Sequence, residues 1–229
     1  MGVKASGRYL INMSIVEVHG WGGSWSLLIF QCLIGVLFIF LVWWSVHYGG
    51  WKKSFRLFVP MFIAALFLEA AAVASGRYNY PGYFLYLSVM GGSVPLIILL
   101  GWNVNLVLFL GLGERVVNGW VCTQRYTRIF LVSLVAAIFG VCLDVLEDPI
   151  AQTNQWWVWN QHAAIATLFQ VPLSNFVDWF LILFFMSLAV QFIDHSRVSE
   201  KRKILLSFFS VSYVGALIFL VHIALFGVF

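Results

Sequence analysis

The chain has 229 residues, of which 62% are hydrophobic and only 10% charged, and its mean hydropathy is +0.94. Soluble domains average about 25% charged residues, so this composition excludes a water-soluble globule and implies one integral membrane domain over 1–229. The net charge of +4 is too small to argue for a nucleic-acid partner.

In chain order, the first long apolar run covers 25–46. It is too long for a signal-peptide core and reads as a spanning helix. Five more spans are predicted at 54–75, 83–113, 127–147, 175–195 and 204–228, each near or above the roughly 20 residues a bilayer requires. The third contains GGSVP (91–95), which predicts a broken or tilted helix. Irregular backbone at membrane depth is tolerated where it is buried in protein or lines a cavity, so this break is a candidate site wall. The stretch 149–173 reads as a re-entrant or interfacial segment. The fold class expected is an all-α, polytopic bundle of six transmembrane helices. Cys32, Cys122 and Cys142 sit in or beside apolar runs without paired spacing; they read as packing residues, with no disulfide framework and no metal site.

The basic residues support six spans. Lys52, Lys53 and Arg56 fall in the first connection, Arg115, Arg125 and Arg128 in the third, and Arg197, Lys201, Arg202 and Lys203 in the fifth. Only Lys4, Arg8 and Arg77 fall on the other side. By the positive-inside rule, both termini lie outside the cell membrane and the basic loops lie in the cytoplasm.

The chain has only nine acidic residues, and three of them close the fourth apolar run in DVLEDP. Asp144, Glu147 and Asp148 are spaced i, i+3 and i+4, which puts them on one helix face. Glu69, in LFLEAAAVASG, and Asp178, in PLSNFVDWF, fall in the same leaflet. Carboxyls in apolar segments are costly and face the bundle interior or a cavity. Apolar surroundings favour the neutral acid, the form general-acid catalysis uses. Two structural readings compete: Asp148 before Pro149 marks a helix end, and Asp178 follows the N-cap residues Ser174 and Asn175 as a first-turn acid. Glu69 and Asp144 have no such local explanation.

Aromatic residues crowd the same side: Tyr78, Tyr80, Tyr83 and Tyr86 in GRYNYPGYFLY, then Trp156, Trp157, Trp159 and Trp179. Such rings collect at membrane interfaces, and they also suit a long apolar substrate and a positive charge beside it. A prenyl-diphosphate site would need a second acidic cluster and more cations on this side. A zinc site at His162 with Glu147 or Asp148 lacks ligand spacing. His19, His47, His195 and His222 are scattered and read as interfacial or packing residues. A proton-coupled transporter would show inverted repeats, and none is evident.

The ordered motifs Glu69 followed by GRYNY, GSVPLIILLGW, DVLEDP, WVW and VPLSNFVDW, over residues 65–180, resemble the membrane carotenoid-biosynthesis family that includes bisanhydrobacterioruberin hydratase and related carotenoid 1,2-hydratases. Glu147 is an extra acid inside the Asp-x-x-x-Asp-Pro motif, and Asp178 stands where a small residue is expected. The resemblance implies addition of water to the terminal C=C bond of an acyclic carotenoid, with no cofactor. On that reading Asp144 or Glu69 donates the proton, Asp148 orients and deprotonates water, and Asn175 and Tyr80 hold that water. Tyr78, Pro95, Trp102, Glu147, Trp157, Trp159, Asp178 and Trp179 line the substrate or water site. The partners are a hydrophobic carotenoid and the lipid bilayer; nothing in the sequence sets an oligomeric state. A lycopene-type cyclase begins with the same protonation and is the nearest alternative. The amides Asn154, Gln155, Asn160 and Gln161 favour a wet site and hence hydration.

Overall fold

The computed structural model describes residues 16–19, 23–119, 124–160 and 166–226. The elements run β1 (Val16–Val18), α1 (Trp25–Gly49), α2 (Trp51–Ala74), β2 (Tyr78–Asn79), β3 (Leu85–Val89), β4 (Gly92–Pro95), α3 (Leu96–Asn118), α4 (Arg125–Thr153), β5 (Val158–Trp159), β6 (Thr167–Leu168), β7 (Val171–Pro172), α5 (Leu173–His195) and α6 (Glu200–Phe226). Among the described residues, α1 to α5 are long and apolar enough to cross a membrane, and α6 occupies the sixth predicted span. The protein is a transmembrane helical bundle. Lys4, Arg8, Cys122, Gln161 and His162 lie outside the described residues.

The helices pack as a closed ring in the order α2, α3, α4, α5, α6 and back to α2, with α1 laid against the seam of α2 and α3. Lipid tails supply no hydrophobic force between spans, so close approach through small residues has to serve instead. Ala64, Ala65, Ala70 and Ala72 are buried on α2, and Ala136, Ala137 and Gly140 face inward on α4. A Cβ on Gly113 would come within 2.6 Å of the Val132 carbonyl oxygen, and one on Gly140 within 1.9 Å of a Leu183 methyl. These glycines set how closely α3, α4 and α5 meet.

Two predicted helix limits are corrected. The span 83–113 is not a broken helix: 85–95 is a β-hairpin, and α3 begins only at Leu96. Met90 and Gly91 both adopt positive φ, 53° and 82°, which turns the chain so that Leu87 pairs with Val94 and Ser88 with Ser93. Pro95 is the N-cap of α3, consistent with its fixed φ and missing N–H. β4 lies against α2, where a Cβ on Gly92 would sit 2.1 Å from the Ala70 carbonyl oxygen. Gly92→Ala must therefore push the hairpin off the helix beside Glu69. An overpacked contact of this kind costs about 1–3 kcal/mol, and a lowered melting temperature of the solubilised protein checks it.

The fourth helix does not stop at 147. It continues through Pro149 to Thr153 and is closed by Gln155 at φ 55°, with the Trp156 N–H donating to the Ala151 carbonyl at 2.8 Å. Asp148 thus stands inside a helix and does not mark its end. Likewise Ser174 and Asn175 are not N-caps: Pro172 is the cap residue, Asn175 lies in the first turn and Asp178 in the second. Cys32 and Cys142 are free and exposed on the outer faces of α1 and α4, not packed inside.

Short strand pairs close the end of the bundle that carries the acids. β2 pairs with β5, setting Tyr78 opposite Trp159. Beyond it, the Asn160 N–H donates to the Arg77 carbonyl at 2.8 Å. The segment predicted as re-entrant or interfacial is thus the end of α4, β5 and the hairpin of β6 with β7. Basic residues meet at the other end. Arg56, buried on α2, bonds both Asp194 at the end of α5 and Glu200 at the start of α6.

Candidate active site

Glu69 lies five residues before the end of α2, on its buried face. Its two oxygens accept three hydrogen bonds, from Tyr78 Oη at 2.5 Å, Tyr80 Oη at 2.6 Å and Trp102 Nε1 at 2.6 Å. The donors come from three separate places, namely β2, the turn after it and α3. Burial first, and then the Glu69 charge, holds both tyrosine hydroxyls well above the ordinary phenol range, so they stay protonated and remain donors. The turn that carries them is itself fixed, because Tyr86 Oη donates to the Tyr80 carbonyl at 2.5 Å and accepts the Tyr83 N–H at 3.2 Å.

Across the bundle, α4 presents a second carboxyl group. Asp144 and Asp148, one turn apart on α4, are both buried. A single amide nitrogen, Asn175 Nδ2 on α5, bridges them at 2.9 Å from Asp144 Oδ2 and 2.7 Å from Asp148 Oδ2. Trp157 Nε1 donates to Asp148 Oδ1 at 3.2 Å. Glu147 differs: among the described residues its carboxyl has no hydrogen-bond partner.

Glu69, Glu147 and Asp148 line one cavity of about 410 Å³ together with Tyr78, Tyr80, Trp102, Trp157, Asn175 and Trp179. Asp144 is not among its lining residues and stands behind Asp148. Trp102 and Trp179 pack with ring centroids 4.4 Å apart. A smaller cavity of about 260 Å³ adjoins the first through Glu69, Tyr78, Trp102, Asn175 and Trp179. It is bordered by Arg77 and Asp178, which pair at 2.9 Å. Asp178 therefore belongs to an ion pair at the side cavity. Trp159 packs on Tyr78 at 4.6 Å without lining either cavity, and Pro95 is buried at the junction of β4 and α3.

Among the described loop amides, Asn154, Gln155 and Asn160 line neither cavity. Asn154 Nδ2 donates to the Ile150 carbonyl, Asn160 Nδ2 to the Gly76 carbonyl, and Gln155 is exposed. The polar side chains present at the cavity that sequence reasoning passed over are Arg77, weighed there only for topology, and Asn105 on α3. A polar residue in an otherwise apolar helix was the available signal for Asn105. Trp156 was noticed only as one of several rings, yet it lines the cavity and stacks on Phe30 of α1 at 4.8 Å.

An apolar, aromatic cavity with carboxyl groups on facing walls suits proton-driven chemistry on a hydrocarbon. A family model described as carotenoid biosynthesis protein matches residues 25–229. The chain belongs to this carotenoid biosynthesis protein family. Its match runs from the first residue of α1 through α6, so every element that builds the two cavities falls within it. Neither curated proteins nor solved structures give a match. Membership assigns the protein a role in carotenoid biosynthesis and agrees with the resemblance drawn from the five motifs.

Proposed function

We propose that the protein is a carotenoid hydratase, adding water to the terminal C=C bond of an acyclic end group. The observation that carries this reading is a pair of buried carboxyls, Asp144 and Asp148, held by one amide at the wall of an aromatic cavity that Glu69 and Glu147 also line. Asp148, backed by Asp144, donates its proton to the less substituted alkene carbon. The cation forms on the tertiary carbon, between the faces of Trp102, Trp157 and Trp179 and opposite the Glu69 carboxyl. Water attacks that carbon. Its surplus proton passes to Glu147, whose carboxyl has no competing partner among the described residues, and returns from there to Asp148. The balance is one alkene and one water consumed and one tertiary alcohol formed, with no redox step. Asn175 holds the acid pair in register.

The smaller cavity beside Glu69, with the Arg77–Asp178 pair at its border, is the water-side compartment of the same reaction. We place this end of the bundle at the outer face of the cell membrane, since the basic connections gather at the other end.

Expression in cells that accumulate acyclic carotenoids tests the reading through product masses. Hydration adds the mass of one water for each end group that reacts. An unchanged mass with a shifted absorption spectrum would mean that an internal alkene captures the cation, making the protein a cyclase. Unchanged carotenoids would leave transport as the function.

A further inference from the structure

The main cavity is closed toward the loops and open toward the bilayer. On the loop side it is covered by Trp156 and Trp157, with the β2–β5 pair above them. Its other border is formed by Leu33 of α1, Leu108 of α3, and Leu146 and Ile150 of α4. These four side chains are 55%, 40%, 66% and 53% exposed, so they line the cavity and face the hydrocarbon at once. The gap has a structural origin. α1 packs on α2 and α3, while α4 packs on α3 and α5, which leaves a groove over α3 between α1 and α4. Gly101 floors it; a Cβ there would meet nothing closer than 3.9 Å, at Ile34.

Resting on the hydratase reading, we propose that this groove is a lateral portal through which the end group of a long polyene passes from the bilayer to the acids while the rest of the chain stays in lipid. Two observations commit the groove to such an occupant. The cavity holds about 410 Å³, room for an end group and a short length of chain but not for a rod as long as the membrane core, about 30 Å. The portal border is wholly leucine and isoleucine, so a headgroup or a peptide segment with unpaired backbone groups finds no polar partner there. The end of α1 nearest the acids forms one jamb of the portal. It is held by the Trp156 Nε1 bond to Ser26 Oγ at 3.2 Å and by the Phe30–Trp156 stack.

The test narrows the portal without touching the acids. Leu108→Trp and Leu146→Trp are produced in cells that accumulate acyclic carotenoid, with Ile138→Trp as a control that adds the same bulk to the lipid face of α4 away from both cavities. Two quantities are read after purification: carotenoid retained per protein, from its visible absorption, and hydrated product, from its mass. Both portal variants should retain at least fivefold less carotenoid than wild type and the control, at an unchanged melting temperature. Wild-type retention in both would overturn the portal. Reduced retention with no hydrated product from any variant, wild type included, upholds the portal and overturns the hydratase reading instead. Should Leu108→Trp melt early, Leu146→Trp and Leu33→Trp decide the outcome, because those side chains are the more exposed.

Discussion

Asp148→Asn should lower hydration about 100- to 10,000-fold, the contribution of a positioned general acid, with little change in fold. An asparagine fills the same space. Its carbonyl still accepts from Trp157 Nε1, its amide donates to Asp144, and Asn175 needs only to turn its own amide over. What is lost is the ionisable carboxyl at the cavity wall. Asp144→Asn should be less severe, because Asp148 remains in the cavity with its contacts to Asn175 and Trp157. Product mass from whole cells measures activity, and the melting temperature of the purified variant reports the fold. Near-normal product from Asp148→Asn, or a greater loss from Asp144→Asn, would remove Asp148 from the donor role.

Glu69 separates a structural role from a chemical one. Glu69→Ala strands three donors, the Tyr78 and Tyr80 hydroxyls and the Trp102 indole N–H. At about 1 kcal/mol each, the low end for an unmade buried hydrogen bond, the loss is about 3 kcal/mol, visible as a drop in melting temperature. Glu69→Gln keeps the shape. Its carbonyl can accept from Trp102, and the tyrosine hydroxyls can rotate to accept from its amide. Most of the stability should therefore return while hydration stays low, since the carboxyl facing the cation is gone. Full turnover by Glu69→Gln would show that this carboxylate does no more than tie the loop to α3.

Much of this design is legible in the sequence because the membrane makes charge conspicuous. A glutamate between LFL and AAAVA, or an aspartate after FGVCL, is anomalous against its neighbours, and the i, i+3, i+4 spacing of the α4 acids holds whatever the tertiary structure. Three kinds of information are absent from such a reading. The hairpin at 85–95 is hidden because LYLSV and VPLIILL are both continuously apolar, and neither helical nor strand periodicity can be told from such short runs. The persistence of α4 past Pro149 depends on Gln155 taking a left-handed conformation and closing the helix end. Tyr78 and Tyr80 follow Glu69 closely in the chain, but Trp102 is 33 residues away, and the motif resemblance, not a spacing rule, points to it. Two amides of the 154–160 loop, Asn154 and Asn160, turn to nearby carbonyls, partners that no sequence pattern shows.

The Arg56 cluster has a consequence for how the molecule yields. At that end one guanidinium joins α2 to both α5 and α6, the α1–α2 turn is tightened by the Ser45–Ser54 bond at 2.8 Å, and Lys53 adds a contact to Asp194. The opposite end is tied largely by the residues of the cavity: Glu69 to α3, Asn175 to α4, and Trp156 to α1. The bundle resembles a clothes-peg, sprung at one end, with its jaws made of its own chemistry. On the proposed reading, selection for activity and selection for rigidity act on the same few side chains at the mouth, whereas ties at the spring can be strengthened without reaching the cavity.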